Sequence, residues 1–170
     1  MEAKPKIQIN LTVFDNVLEI GAVIMLIIIW ICTAFNYFLS PDTVAIHFDL
    51  SGKPNGYGSK VIILFLPIIP TVIYFVLTLL NKYPHIYNYM TKITTKNAKR
   101  QYSIASGIIR ILKLSVVLIF TIDSLCTLLI TLGLFKDFGK WYISFIILIL
   151  AVPTIYAVFQ LLNKNEVLND

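Results

Sequence analysis

The run Gly21-Ala22-Val23-Ile24-Met25-Leu26-Ile27-Ile28-Ile29 decides the fold. It carries no charge and sits inside an apolar segment from about Ile20 to Leu39. About twenty residues at a 1.5 Å rise cover about 30 Å, the hydrocarbon thickness of a bilayer. Working outward, three more blocks of that kind lie at 61–80, 108–132 and 141–162. The pattern predicts an all-α integral membrane protein: a single four-span domain over 1–170. Composition agrees, since 58% of residues are hydrophobic and 14% charged, against about 25% charged in ordinary soluble domains.

The flanks refine this picture. Leu11 to Glu19 mixes apolar residues with Asp15, Asn16 and Glu19, as an amphipathic lead-in would, with Thr12 or Asp15 as its cap. No small-residue cleavage pattern follows the first block, so it reads as an uncleaved helix. Pro67 and Pro70 in the second span, and Pro153 in the fourth, each remove a helical hydrogen bond and predict kinks. Thr94 or Thr95 reads as the cap of a helix that continues into the third span. Arg110 and Lys113 lie early in that span and are expected to snorkel toward headgroups. Asp123 falls near its middle.

Orientation follows from the basic residues. The two tails and the 81–107 loop, with Arg110 and Lys113, hold ten (Lys4, Lys6, Lys82, Lys92, Lys96, Lys99, Arg100, Arg110, Lys113 and Lys164). The other two loops hold four (Lys53, Lys60, Lys136 and Lys140). The positive-inside rule then places both termini and the 81–107 loop in the cytoplasm of a multi-pass cell-membrane protein, with the 40–60 loop outside.

That outer loop is long for a helix connection, where about 2–8 residues suffice. Ser40-Pro41 ends the first helix. Val44, Ile46 and Phe48 then alternate with Ala45, His47 and Asp49, which predicts a short strand with His47 and Asp49 on one face. Ser51-Gly52 and Pro54-Asn55-Gly56 are turn signals in quick succession, so a compact hairpin is expected.

At this loop the chain resembles a known family. Pro41-Asp42-Thr43-Val44, His47-Phe48, Gly52-Lys53-Pro54-Asn55-Gly56-Tyr57-Gly58 and Lys60 are similar to the signature of a widespread bacterial membrane family known as a domain of unknown function, DUF1648. Tyr87-Asn88-Tyr89 and Asn97-Ala98-Lys99-Arg100-Gln101-Tyr102 resemble its second stretch. Ala45 stands where members often have proline, and Asn55 where they often have aspartate. Relatives include the Sdp-type immunity proteins, which carry further spans and pair immunity to a secreted killing peptide with signalling to a cytoplasmic repressor. The resemblance implies a sensing or immunity module, a peptide or envelope ligand outside and a cytoplasmic regulator as partners.

The candidate ligand-binding residues are His47, Asp49, Gly52, Asn55 and Lys60. His47 with Asp49 reads as a proton-sensitive pair, a weak metal site or a peptide contact; equally, His47 reads as bonding loop backbone to hold the hairpin. Two candidate ligands fall short of a metal shell, and no cofactor motif is present. The glycines suit turn geometry better than an anion cradle. Lys96, Lys99 and Arg100 suit lipid or partner contact as well as topology.

Asp123 is the intramembrane polar residue, and such groups are functional by default. Asn36, Thr33, Thr127 and Ser124 are its potential partners; protonation is the alternative. Cys32 and Cys126 read as free buried thiols, although a bridge is conceivable if the first and third spans touch. No catalytic set and no nucleic-acid signature is visible. The expectation is a non-enzymatic ligand-sensing or immunity module in the lipid membrane. The alternative is a small proton-coupled transporter or ion-conducting module using Asp123. A membrane enzyme would have only His47 and Asp49 as acid–base groups outside.

Overall fold

A computed structural model describes residues 4–162. Lys164 and the ends of the predicted tails lie outside the described residues. Four helices are long and apolar enough to cross a membrane: α1 (Val13–Leu39), α2 (Phe65–Leu80, continuing a 3-10 turn over Lys60–Leu64), α3 (Ala98–Thr131) and α4 (Trp141–Leu162). Between α1 and α2 stands a two-stranded antiparallel hairpin, β1 (Thr43–Phe48) and β2 (Pro54–Ser59). The protein is a multi-pass membrane protein: large apolar side chains such as Ile24, Ile27, Phe75, Ile147 and Leu148 stand exposed along the helices, a surface suited to lipid and not to water.

The lead-in and first span form one helix. Thr12 is its cap, with a full capping box: the Asp15 N–H donates to the Thr12 hydroxyl (3.1 Å), and the Thr12 N–H donates to the Asp15 carboxylate (2.9 Å). Leu18, Ala22, Leu26, Ile29, Thr33 and Asn36 are buried. Their spacing of three or four residues draws one stripe down the helix, and that stripe faces α3. Leu26, Ile29 and Val117 form the apolar centre of the seam.

Toward the hairpin end the seam turns polar. The Thr33 and Ser124 hydroxyls bond each other at 3.2 Å. The Asn36 side-chain oxygen accepts from Thr131 (2.6 Å) and Ser40 (3.0 Å). Such interhelical hydrogen bonds, with small residues allowing close approach, are how helices associate where lipid removes the hydrophobic drive. Cys32 and Cys126 are buried free thiols.

The prolines of the second span sit in the first turns of α2, which runs unbroken from Phe65 to Leu80. Pro67 has no N–H for the Ile63 carbonyl, and the chain takes 3-10 geometry over Lys60–Leu64 before α-helix begins at Phe65. Pro70 frees the Leu66 carbonyl in the same way. At the start of α3, Thr94 and Asn97 bond reciprocally: the Thr94 N–H donates to the Asn97 side-chain oxygen (2.8 Å), and the Asn97 N–H to the Thr94 hydroxyl (3.4 Å). Ala98 N–H reaches back to the Thr94 carbonyl at 2.9 Å; the cap residue of α3 is Asn97, not a threonine, and Thr94 braces it from the turn before.

Arg110 and Lys113 do not snorkel. Counted back from Thr131, a 30 Å span begins near residue 111, so both lie at the hydrocarbon boundary. Their side chains are nonetheless 7% and 0% exposed. Arg110 donates to Asp15 at 3.0 Å and lies 3.4 Å from Glu19. Lys113 donates to Glu19 at 2.6 Å and to the Thr78 hydroxyl at 2.9 Å, with its ammonium 4.6 Å from the Tyr74 ring centre. The two carboxylates of the lead-in neutralise the two cations, and that pairing outcompetes reaching for headgroups.

Candidate functional site

The hairpin is a built structure. Asp49 forms its turn: one carboxylate oxygen accepts from the Ser51 N–H (2.8 Å), the Ser51 hydroxyl (2.7 Å) and the Lys53 N–H (3.0 Å). These bonds, the Ser51 hydroxyl first, hold its carboxyl below the usual range near 3.8. Gly52 has φ +82°, and a Cβ there would lie 2.6 Å from the Gly139 nitrogen. Only glycine fits, and the closeness lets the Phe138 N–H donate to the Gly52 carbonyl at 3.0 Å. Phe48 and Phe138 rings meet edge to face at 4.3 Å. The hairpin tip and the α3–α4 loop therefore form one cap. At the base, Lys60 pairs with Asp42 (3.0 Å) and lies 5.4 Å from the Tyr37 ring centre.

The expected face shared by His47 and Asp49 does not bring them together. Register shifts between Ala45 and His47, and between His47 and Phe48, break the alternation. His47 bonds the Asn55 side chain across the hairpin, while Asp49 is spent on the turn. Among the described residues no group of three or more His, Cys, Asp or Glu side chains is placed to hold a metal ion. Lys96, Lys99 and Arg100 are exposed at the other end of the molecule, on and just before the first turn of α3.

Beneath the cap lies a cavity of about 260 Å³. The hairpin supplies Ala45, Ile46 and Phe48; α2 supplies Phe65, Leu66 and Ile69; α3 supplies Phe120, Asp123 and Thr127; Phe138 and Tyr142 close the side. Asp123 is the one charged residue on it. It stands eight residues from the end of α3, about 12 Å along the axis toward the cap. Its Oδ1 is buried and hydrogen-bonds no group among the described residues.

None of the expected partners reaches it. Thr33 and Ser124 bond each other, and Asn36 accepts from Ser40 and Thr131 through its side-chain oxygen, while its amide nitrogen hydrogen-bonds no group among the described residues. Thr127 donates to the Asp123 backbone carbonyl at 2.7 Å, not to the carboxyl. A buried polar atom left without a partner costs about 1–3 kcal/mol, and more when charged. Such an atom at a cavity wall is a marker of function.

A second cavity, about 520 Å³, lies at the other end against the segment 7–11. It is lined by Glu19, Arg110 and Lys82; Ser106 Oγ and Arg110 Nε there also lack a hydrogen-bond partner among the described residues, but its one carboxylate already has Arg110 at 3.4 Å and Lys113 at 2.6 Å. The Asp123 cavity is thus the better candidate. Sequence reading found Asp123 and the hairpin but not their meeting. It missed Phe120, Phe138 and Tyr142, which look like ordinary apolar residues until the loops close.

Comparison with known proteins agrees with the resemblance read from the loop. Residues 24–71 match a family described as "Domain of unknown function (DUF1648)". That stretch covers the second half of α1, the hairpin and the start of α2. An uncharacterized protein of Archaeoglobus fulgidus is 30% identical over 107 residues, covering 56% of this chain and 58% of that protein. The chain thus matches somewhat more than half the length of that relative. No solved structure matches.

Proposed function

We propose that this DUF1648-matching protein is a non-enzymatic ligand sensor of the cell envelope, whose hairpin cap closes over a binding cavity anchored by Asp123. The observation that carries the reading is the buried Asp123 Oδ1 without a partner, on an apolar cavity whose roof is the hairpin. A ligand there touches the cap, α2 and α3 together. Occupancy is thereby transmitted to the only β-structure among the described residues and to two membrane helices. The excess of Lys and Arg at the other end supports a cap on the outer side, by the positive-inside rule. An immunity role, with a peptide or envelope ligand outside and a regulator inside, is the form suggested by the Sdp-type resemblance.

The test imitates an occupant. Leu66→Trp places an indole in the cavity, and amide hydrogen exchange over 43–59 is compared with wild type in nanodiscs. Slower exchange of the strand amides is expected. Unchanged exchange would mean that cavity occupancy does not reach the cap, and the sensing reading would fall.

The same carboxyl supports a second reading, a proton-coupled transport or conducting module, because intramembrane carboxyls commonly serve proton relays. That reading predicts pH-driven flux in liposomes that Asp123→Asn abolishes. Equal flux in wild type, Asp123→Asn and protein-free liposomes removes it.

A further inference from the structure

We infer that the cavity beneath the hairpin takes an amphipathic cation: a primary ammonium carried on an apolar body. The inference rests on the ligand-sensing reading and adds the chemistry of the ligand.

Three features of the wall point the same way. First, among the described residues the cavity offers one charged group, the Asp123 carboxyl, and no Lys, Arg or His lines it. Its Oδ1 has no donor among the described residues, and the neighbouring Thr127 hydroxyl is committed to a backbone carbonyl. A ligand that brings a donor satisfies this oxygen, and a cation does so best, because pairing with it stabilises the carboxylate in an apolar surround that disfavours the unpaired charge. Second, five aromatic rings line the same space: Phe48, Phe65, Phe120, Phe138 and Tyr142. Aromatic faces attract ammonium groups, and the attraction grows when water is excluded. Third, the rest of the wall is aliphatic (Ile46, Ile63, Leu66 and Ile69). It matches an alkyl body and gives a polyanion or a sugar nothing to bond.

The contrast with the other intramembrane charges sharpens the point. Asp15 and Glu19 have Arg110 and Lys113 as partners supplied by the chain itself. Asp123 is the carboxyl of the helical core that has no cation partner among the described residues. An anionic ligand of the same size would set two negative charges together in a medium of low dielectric, which is strongly unfavourable.

The experiment measures equilibrium dialysis of labelled hexylammonium, hexanol and hexanoate into nanodiscs holding the full chain, with uptake by protein-free nanodiscs subtracted. Saturable binding of hexylammonium at least about tenfold tighter than hexanol is expected. Asp123→Asn, a near-isosteric change, should bring the two within about threefold, and Leu66→Trp should abolish both. If hexanol and hexylammonium bind equally well and Leu66→Trp removes both, the cavity binds ligand but the cation assignment is wrong. If hexanoate binds tightest, the assignment is likewise overturned. If none of the three saturates, the ligand-site reading fails together with the assignment. The comparison of three head groups on wild-type protein decides the matter even if Asp123→Asn does not fold.

Discussion

Lys113 and Glu19 meet at 2.6 Å with the lysine side chain fully buried, although 94 positions separate them in sequence. Together with Asp15 and Arg110 they clamp the start of α1 to α3 at the hydrocarbon boundary. Removing Lys113 takes from Glu19 its nearest cation and leaves it only the longer contact to Arg110 at 3.4 Å. Lys113→Met is expected to destabilise the protein by about 1–3 kcal/mol, whereas Lys113→Met with Glu19→Gln should recover most of that loss. Unfolding midpoints in mild detergent measure the difference. Equal loss in the single and double variants would show that the pair does not act as a pair.

The clamp also marks where sequence reading stopped. Spans, hairpin and the Thr12 capping box follow from local patterns: apolar length, turn residues, and a threonine three positions before an acid. The partners of Arg110 and Lys113 depend on how α1 is rotated against α3, and no local pattern states that. Taken alone, a cation near a span end reads as snorkelling. Asp123 was legible as unusual, but its surroundings were not, because Phe48 and Phe138 come from loops 90 residues apart. The predicted pairing of His47 with Asp49 assumed unbroken alternation. Register shifts on both sides of His47 break it, and such a bulge leaves no mark in the apolar–polar pattern.

Gly52→Ala tests the cap. Its φ of +82° disfavours a side chain, and the added Cβ would meet the Gly139 backbone. A cost of about 1–3 kcal/mol to cap closure is expected, seen as faster hydrogen exchange of the Phe138 amide with the helix amides unchanged. Wild-type protection at Phe138 in the variant would contradict the packing.

Asp49 gives the hairpin a pH dependence. Its carboxyl is held below its ordinary value near 3.8, chiefly by the Ser51 hydroxyl and then the Lys53 N–H. Its stabilising effect is complete above that ordinary value and is lost as pH falls toward the lower folded value. Protection of the Ser51 and Lys53 amides, relative to their intrinsic exchange rates, should fall as the pH is lowered, and Asp49→Ala should remove that excess pH dependence. An identical excess in the variant would place the effect elsewhere.

The cysteines make a simple prediction. Cys32 and Cys126 are both free, so denatured protein should titrate two thiols without reductant. Fewer than two, restored by reductant, would reveal a bridge.

The most direct test of the account asks where an amphipathic cation goes. A diazirine-bearing hexylammonium is irradiated with the protein in nanodiscs, and the modified peptides are mapped. The account predicts saturable labels on the hairpin near Ile46 and Phe48, on α2 near Leu66 and Ile69, and on α3 near Phe120, three stretches that share this cavity. Those labels should be lost in Asp123→Asn. Labels spread evenly over lipid-facing residues such as Ile147 and Val152, without saturation and unchanged in the variant, would contradict it.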